Sequence, residues 1–415
     1  MGIDNFTKLV KRYAPEAIEN HEYSEFAGET WDIDASIFFY RFSHDPQSKK
    51  TNPHIDGFYQ LIYRLLKNGI YPIFVTDGKT PKQKLHTLKQ RSEQTQKNIK
   101  KVEDLQEDLI TMLGGSLMPD DHVDNSSISQ TQTVTLQQLV DLYKGHPLEN
   151  ELKDKLAEIN KASKNIIQFK PNVYQDIYKL CGLFSVPIYR ANWEADSLCT
   201  KFYARGLVKA IMSEDSDILL YNGGRLIRKF NWSNTVEVIN IDKLLEKLKI
   251  NYDQFVDLCI LCGTDYTVKT ISGLGAIRAY ELISQGLTIE NIIDNIKKSK
   301  MSSDKTLKAY RKYDLPEDMS DFDYQSVRDL IKQAHSLEED VNFPSFDVNN
   351  IKFDELSQFM TEKCNYKSET IKGHFQQLRD ADTKLKASKD KIKIPLKIKL
   401  KTQNANANKI KITLK

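Results

Sequence analysis

The chain has 415 residues, of which 40% are hydrophobic and 28% charged, and its formal net charge at pH 7 is +3. This length allows two or three domains, or one large domain, with a substantial hydrophobic core. Five scattered cysteines argue against a disulfide framework and for a reducing compartment. No stretch of the sequence is long and apolar enough to span a membrane. We therefore expect a soluble intracellular protein.

The positive charges are concentrated at the C-terminal end of the sequence. Residues 384–415 carry about ten net positive charges, which leaves the preceding body at about −7. A protein with an acidic body that binds a polyanion needs metal ions and a local basic patch. The overall charge therefore neither supports nor excludes nucleic acid as a ligand.

Two predicted strands near the N-terminus each lead into an acid. Residues 3–20 have the spacing of an amphipathic helix. The run 31–40 begins as a strand and becomes an apolar helix, which places Asp34 near the strand's end. The strand predicted over 70–76 is followed directly by Asp77. Both acids are thus expected at the carboxyl ends of strands.

A basic run follows the second of these acids. Residues 79–101 contain eight Lys and Arg residues against one acid. Such a run is usually a solvated helix face, but this one begins two residues after Asp77. We therefore favour an element that contacts phosphate. Lys84 and Arg91 are seven residues apart, so they are nearly aligned on one face of the predicted helix.

The segment 115–170 has a different composition. Up to about residue 132 it is rich in Ser, Asp, Gln and Thr, which is typical of a mobile loop. Helical patterns follow over 135–144 and 148–163. This segment is predicted to be an insertion before the chain returns to the sheet.

Further acids follow the later strands and one helix. Acidic pairs follow the strands predicted at 186–189 and 208–212, and one more acid follows the helix predicted at 252–262. With the two acids above, the candidates are Asp34, Asp77, Glu194, Asp196, Asp215, Asp217 and Asp265. Carboxyl ends of parallel strands share one sheet edge, and like charges there repel unless a cation lies between them. Hard oxygen ligands favour Mg²⁺ or Mn²⁺ over zinc, so the sequence predicts a carboxylate-lined magnesium site.

A second candidate phosphate contact lies downstream of Asp265. Gly273 and Gly275 form a G-x-G turn between two predicted helices, and Arg278 follows it. Glycines let backbone N–H groups approach a phosphate oxygen, and the next helix adds the positive end of its dipole. A lone G-x-G is a weak signal, but its place after a candidate metal ligand strengthens it.

These motifs together resemble a known family. The chain resembles the flap endonuclease and xeroderma pigmentosum group G family of structure-specific 5′ nucleases over roughly residues 1–380. The matching stretches, in family order, are Met1-Gly2-Ile3, residues 32–36, 76–79, 194–196, 214–217, 255–261, 263–266 and 273–275.

The resemblance implies an α/β fold with several named parts. These are a PIN-like nuclease core with a central, mostly parallel sheet, a helical arch over the active site and a helix-two-turn-helix that holds duplex DNA. The expected regions are an N-terminal nuclease region 1–114 with the arch at about 79–113, the insertion 115–170, an internal nuclease region 171–380 with the helix-two-turn-helix at about 252–285, and a basic, disordered tail 381–415.

The resemblance also implies roles for the candidate residues. One metal ion is expected on Asp34, Asp77, Glu194 and Asp196, and a second on Asp215, Asp217, Asp265 and a shared Asp196. Lys84 and Arg91 match the arch residues that contact the scissile phosphate, and Tyr40 matches an aromatic residue that stacks on the displaced base. Gly273 and Gly275 match the hairpin turn, which in the family also binds K⁺ through backbone carbonyls.

The implied activity is two-metal hydrolysis of DNA phosphodiesters at 5′ flaps or junctions of single-stranded and duplex DNA, with two Mg²⁺ as cofactors and Mn²⁺ as a substitute. Glu194-Ala195-Asp196 and 214–217 look more like the mismatch-repair 5′ exonuclease or the xeroderma pigmentosum group G branch, so the subfamily stays open. A catalytically silent junction binder and a PIN-type ribonuclease are the rival classes. We expect a monomer that acts in the nucleus, or wherever its DNA is replicated.

Some stretches depart from the family pattern. Ala276 and Ile277 replace the usual Pro and Lys after the hairpin, which removes one phosphate contact. The C-terminus lacks the box by which family members dock on the sliding clamp, so clamp binding is not expected. Residues 391–401 instead alternate Lys with apolar residues. We favour nonspecific DNA binding by this tail over addition of a strand to a partner's sheet.

Overall fold

One sheet of seven strands organises the fold. The computed structural model describes residues 2–43, 52–112, 144–163, 172–230, 233–341 and 345–392. The strands are β1 (Ile18–Glu22), β2 (Thr30–Asp34), β3 (Tyr71–Thr76), β4 (Ile188–Arg190), β5 (Ala210–Met212), β6 (Arg225–Arg228) and β7 (Thr235–Asn240). Their order across the sheet is β1-β7-β6-β5-β2-β3-β4. Strands β6, β5, β2, β3 and β4 are parallel, whereas β7 and β1 are antiparallel to their neighbours, which confirms the mostly parallel sheet.

Helices cover both faces of this sheet. The helices of the described chain are α1 (Phe6–Tyr13), α2 (Ala35–Ser43), α3 (Pro53–Lys67), α4 (Leu85–Met112), α5 (Glu149–Ser163), α6 (Val173–Phe184), α7 (Ala195–Ala204), α8 (Asp217–Leu220), α9 (Ile241–Leu248), α10 (Tyr252–Cys262), α11 (Ala276–Ile283), α12 (Ile289–Met301), α13 (Tyr324–Gln333), α14 (Phe353–Cys364) and α15 (Ser368–Ile392). One large hydrophobic cluster contains α1 and α7–α13, and a second contains α2, α3, α6, α14 and α15.

Alternate residues of strand β2 face the two sides of the sheet. Trp31 and Ile33 are fully buried in the cluster that contains α2 and α3. Successive side chains of a strand point to opposite faces, so Asp32 and Asp34 face the other side. Asp34 is the last residue of the strand and therefore lies at the carboxyl edge of the sheet.

The predicted arch region contains one long helix, and a helix of the predicted insertion packs against it. The 28-residue helix α4 begins directly after a short 3₁₀ helix, Lys82–Lys84. Helix α5 packs against it through a small apolar cluster that includes Val102, Leu109 and Leu156, and Lys155 Nζ lies 3.0 Å from Asp108 Oδ2. The helix predicted over 148–163 is thus confirmed, whereas the predicted loop and the helix at 135–144 lie almost wholly outside the described residues.

Two predictions near the chain ends were wrong. The first helix ends at Tyr13 instead of reaching residue 20, because Pro15 cannot continue a helix, and β1 follows. The tail predicted to be disordered from residue 381 begins as helix, since α15 continues to Ile392. Leu378 is buried on this helix, and an i,i+4 pair joins Asp382 to Lys386 at 2.7 Å. Residues 393–415 lie outside the described residues.

The structure also bears on the expectations about membrane-spanning segments and cysteines. No helix in the described part of the chain has the length and apolarity needed to cross a membrane. All five cysteines are free thiols, and Cys259 and Cys262 lie on α10.

Candidate active site

Five of the candidate acids line one cavity at the carboxyl edge of the parallel strands. Asp34 ends β2, Asp77 follows β3, and Asp215 lies three residues after β5. Glu194 precedes α7, and Asp196 lies in its first turn. The cavity that they line has a volume of about 140 Å³. The structure therefore brings together acids that are separated by up to 181 residues of sequence.

The other two acids adjoin the same cavity. Asp217 is the first residue of α8, and its backbone N–H donates to Oδ1 of Asp215 at 3.0 Å. Asp265 follows α10, which ends because Gly263 has a φ of +103° that turns the chain away from the helix. Oδ2 of Asp265 lies 2.7 Å from Nη2 of Arg91 on the arch, a residue that lines the cavity.

Serine and backbone donors hold several of these carboxylates. The Ser213 hydroxyl donates to Oδ2 of Asp34 at 2.8 Å and accepts the backbone N–H of Asp215 at 3.0 Å. The backbone N–H of Ala195 donates to Oδ1 of Asp77 at 2.9 Å. Ser213 was not predicted as a site residue, although its place two residues before Asp215 is a local signal.

The N-terminal segment closes one side of the site. Gly2 has a φ of +88°, and a Cβ built on it would lie 2.1 Å from Oδ1 of Asp215. The backbone N–H of Ile3 donates to Oγ of Ser216 at 2.9 Å. Only a residue without a side chain can therefore approach Asp215 this closely.

Burial and mutual repulsion favour the protonated forms of these acids. Burial and the Asp77 charge raise the pKa of Asp34 to about 7. Burial, followed by the charge of Asp215, raises the pKa of both Asp196 and Asp217 well above its usual range. A cation placed among these side chains would offset both causes.

The donor set fits a hard divalent cation. Both carboxylate oxygens of Asp217 are buried and have no hydrogen-bond partner among the described residues. All seven candidate ligands are carboxylates, which suit Mg²⁺ or Mn²⁺. Within the described ranges, no three Asp, Glu, His or Cys side chains are already placed to hold a metal ion together. In this structure Lys84, a cavity-lining side chain, supplies positive charge among the acids.

Lys84 is the more deeply buried of the two arch cations. Its Nζ lies 2.5 Å from Oε1 of Glu194 and 3.7 Å from Oδ2 of Asp265. Burial opposes its charge, but Glu194 and Asp196 outweigh burial and raise the pKa of Lys84. Its side chain is 14% exposed, whereas that of Arg91 is 45% exposed. Both predicted phosphate contacts therefore face the acids.

The base of the arch is fastened to the loop that carries Asp265. The Thr87 hydroxyl donates to the backbone carbonyl of Asp265 at 2.8 Å. Nε2 of His86 lies 3.1 Å from the carbonyl oxygen of Thr267. These contacts fix the start of α4, and hence Lys84 and Arg91, relative to the acids.

The mouth of the cavity carries apolar and aromatic side chains. Tyr40 on α2 is 48% exposed and lines the cavity with Leu88 and Trp193. The base-stacking role of Tyr40 stays a prediction. Trp193 was not predicted to have a role.

The predicted hairpin residues lie outside this cavity, in the turn between α10 and α11. Gly273 has a φ of +79°, and Gly275 precedes the first residue of α11. Arg278 is 57% exposed, and its Nη1 donates to Oε2 of Glu281 at 2.5 Å. Ser272 pairs with Asp314 through two backbone hydrogen bonds, which fastens the turn to the following segment. Helices α10 and α11 lie within the region 252–285, and a helix-two-turn-helix that holds duplex DNA there stays a prediction.

A carboxylate-lined edge of a parallel sheet, with a basic helix fixed above it, is the arrangement expected of a PIN-like nuclease fold. The XPG N-terminal domain family matches residues 1–98 of the chain, and the XPG I-region family matches residues 185–265. These two matches cover 179 of the 415 residues, so two separate segments of the chain are similar to XPG-type nucleases.

The chain is also similar to flap endonucleases and to a solved nuclease core. Flap endonuclease 1 of Zea mays is 28% identical over 398 residues, which cover 92% of this chain and 88% of the relative. Flap endonuclease 1 of Entamoeba histolytica is 27% identical over 401 residues, covering 92% of this chain and 89% of the relative. The catalytic core of Rad2 in complex with a DNA substrate matches with a TM-score of 0.62 at 20% identity, over 91% of this chain and 100% of that one. The last likeness shows the fold.

Proposed function

We propose that this protein is a Mg²⁺-dependent, structure-specific 5′ nuclease that hydrolyses DNA at 5′ flaps or at junctions of single-stranded and duplex DNA. The proposal rests on the closeness of two arch cations to the acids. Lys84 and Arg91 reach acids of the site, with Nζ of Lys84 at 2.5 Å from Oε1 of Glu194 and Nη2 of Arg91 at 2.7 Å from Oδ2 of Asp265. Acids that hold metal ions and cations that bind a phosphate are the two halves of a phosphodiesterase site.

The acids divide into two candidate ligand sets. We propose that Asp34, Asp77, Glu194 and Asp196 hold one divalent ion, and that Asp196, Asp215, Asp217 and Asp265 hold the other. The buried, unpartnered oxygens of Asp217 and the raised pKa of Asp196 support this proposal. When bound, such ions lower the pKa of an attacking water and stabilise the departing 3′ oxygen.

The arch cations have a separate task. Lys84 and Arg91 now pair with carboxylates, and an entering phosphate offers oxygens that replace those partners. Their positive charges then stabilise the negative charge that develops on the phosphoryl oxygens. Tyr40 and Trp193 at the mouth offer aromatic faces on which an unpaired base can stack.

The turn between α10 and α11 is the proposed duplex grip. The carbonyls around Gly273 and Gly275 are candidate ligands for K⁺, and the exposed Arg278 is a candidate phosphate contact. Replacement of K⁺ by Li⁺ in the buffer is expected to weaken duplex binding. We further propose a monomer that acts in the nucleus, or wherever its DNA is replicated, without docking on the sliding clamp.

A panel of labelled substrates tests the function. The purified chain is incubated with Mg²⁺ and a 5′ flap, a blunt duplex, a bubble or single-stranded RNA. A product cut one nucleotide into the flap duplex supports flap cleavage, successive 5′ nucleotides support the exonuclease, and bubble incision supports the repair branch. Cleavage of RNA alone, or binding without cleavage, contradicts the proposal. Asp215→Asn is expected to abolish cleavage while DNA binding survives, and equal loss of both would make Asp215 structural.

A further inference from the structure

A short segment far downstream of the acids lies along α7. Residues 334–340, here called the strap, follow α13 directly. Nε2 of His335 lies 3.1 Å from Oγ1 of Thr200, and Nζ of Lys201 donates to the carbonyl oxygen of Glu338 at 2.7 Å. Nζ of Lys201 also lies 2.9 Å from Oδ1 of Asp340. The strap is therefore held to the helix whose first turn carries Asp196.

Within the strap, Glu338 points its carboxylate into the protein. The residue is 5% exposed. Its Oε2 accepts the backbone N–H of Asn192 at 2.8 Å, and its Oε1 accepts the backbone N–H of Trp193 at 3.1 Å. Oε1 also accepts the Ser197 hydroxyl at 2.5 Å. A buried carboxylate held by several N–H and O–H donors makes strong, charge-assisted hydrogen bonds.

The loop that Glu338 holds leads directly into the acids. Asn192 and Trp193 immediately precede Glu194 in the sequence. Their carbonyls accept the backbone N–H groups of Lys79 at 3.0 Å and of Gly78 at 2.5 Å, respectively. Asp77 lies next to that pair and accepts the backbone N–H of Ala195. The loop around residue 193 thus spans the gap between two proposed ligands of the same metal ion, Asp77 and Glu194.

We propose that Glu338 is a positioning residue for the metal site, because its carboxylate fixes the backbone of residues 192 and 193. Residues around a metal site that orient its ligands tune affinity without touching the ion. Glu338 orients Glu194 through the adjoining backbone, and orients Asp77 through Gly78 and Lys79. The inference rests on the proposed function only in assuming that these acids bind divalent metal.

Glu338→Gln tests this role with a side chain of the same shape. The amide keeps one oxygen acceptor but replaces the other with an NH₂ donor, which faces N–H and O–H donors. Mn²⁺ binding, measured by electron paramagnetic resonance, is expected to weaken about tenfold. The kcat for flap cleavage is expected to fall about as much, with KM for DNA unchanged and the metal concentration for half-maximal rate raised. Unchanged Mn²⁺ affinity would overturn the proposal.

Asp340→Asn is the matched control in the same strap. Its carboxylate is 72% exposed and pairs with Lys201 and Arg205. Mn²⁺ affinity and kcat are expected to stay at the values of the unchanged protein. If Asp340→Asn weakens Mn²⁺ binding as much as Glu338→Gln does, the strap acts through general stability and the specific role of Glu338 is wrong.

A second variant and a binding measurement without DNA complete the test. Should Glu338→Gln fail to fold, Ser197→Ala removes one of the three donors to Glu338 and is expected to weaken Mn²⁺ binding severalfold, and its unchanged Mn²⁺ affinity would overturn the role. Mn²⁺ binding is measured without DNA, so it does not depend on nuclease activity. A protein that binds Mn²⁺ in a Glu338-dependent way but cuts no DNA keeps this inference and overturns the proposed function.

Discussion

The phenolic hydroxyl of Tyr266 donates a 2.6 Å hydrogen bond to Oε2 of Glu194. The other oxygen of that carboxylate, Oε1, lies 2.5 Å from Nζ of Lys84, which in turn lies 5.5 Å from the centroid of the Tyr266 ring. Burial raises the pKa of Glu194, although Lys84 and Tyr266 oppose that shift. The three side chains form one contact group that joins the arch, the acids and the loop after α10.

Tyr266→Phe removes only the hydroxyl and keeps the ring that packs against Tyr221. We expect kcat for DNA cleavage to fall about tenfold, because Oε2 of Glu194 loses the donor that orients it. Single-turnover cleavage at saturating Mg²⁺ measures the change. Tyr280→Phe is the control, since its hydroxyl donates to the carbonyl of Leu248 away from the cavity, at 3.0 Å. Equal rates for Tyr266→Phe and Tyr280→Phe would rule out the orienting role.

Replacements of Lys84 and of Arg91 are expected to differ in their effect on thermal stability. Lys84→Met and Arg91→Met should each slow cleavage about 100-fold, because each removes a cation that faces the reacting phosphate. In EDTA, only Lys84→Met is expected to lower the thermal midpoint clearly, since the Lys84 side chain is 14% exposed beside buried Glu194 and that of Arg91 is 45% exposed. Thermal scans with and without Mg²⁺ test this, and equal losses for both variants would contradict it.

Asp32 is a buried acid that the proposed chemistry does not use. It is fully buried, and the Cys199 thiol and the backbone of Ile33 lie against its carboxyl group. Burial raises its pKa from 3.8 to about 8. The folded protein thus retains a proton that the unfolded chain releases, so folding stability falls as the pH rises from 3.8 towards about 8.

Asp32→Asn removes this pH-dependent cost. We expect a higher thermal midpoint than that of the unchanged protein near pH 8, by about 2–4 °C for each kcal/mol gained, and a difference that shrinks towards pH 4. Scans in EDTA across this pH range measure the effect without bound metal. A gain that is the same at both ends of the range would show that the charge of Asp32 is not its cause.

The acids were predictable from sequence because each signal is local. Asp34 and Asp77 directly end or follow apolar runs of strand type, and the parallel order of β2, β3 and β5 then places those ends together. The strands β1 and β7 were not predicted. β1 pairs with β7 more than 200 residues away, and its sequence, Ile-Glu-Asn-His-Glu, lacks an apolar alternation.

The supporting residues were less predictable than the acids, because their contacts are not local in the sequence. Glu338 contacts Trp193 across 145 residues of sequence, and nothing in its own sequence neighbourhood distinguishes this buried acid from acids that lie on the surface. Tyr266 adjoins Asp265, so its place was visible, but its contact with Glu194 depends on how α10 packs beside the sheet. Such contacts arise from tertiary packing, which no periodic pattern encodes.

Arg328 joins three helices below the proposed duplex grip. It lies on α13, and its Nε and Nη2 each donate at 2.7 Å to Asp257 on α10, while Nη1 donates at 2.6 Å to Glu290 on α12. Arg328→Ala should lower the free energy of unfolding by about 2–3 kcal/mol, because Asp257 is 8% exposed and would keep an uncompensated charge.

Urea unfolding measures the effect of Arg328→Ala. Lys269→Ala, which breaks an exposed pair with Asp321, is the control and should leave the unfolding midpoint unchanged. Equal midpoints for the two variants would show that the Arg328 contacts do not stabilise the packing of α10, α12 and α13.

Gly2→Ala tests how closely the N-terminal segment approaches the acids. A methyl group there would lie 2.1 Å from Oδ1 of Asp215 and 2.6 Å from Oγ of Ser216, so either the segment or Asp215 must move. We expect about a tenfold fall in kcat with DNA binding retained, measured by single-turnover cleavage and by binding in Ca²⁺. Gly286→Ala is the matched control, because its φ of +85° imposes the same backbone strain with no atom within 4 Å of the added methyl group. If both variants lose activity equally, strain and not the collision with Asp215 is responsible. If Gly2→Ala alone loses activity, the N-terminal segment helps to place Asp215.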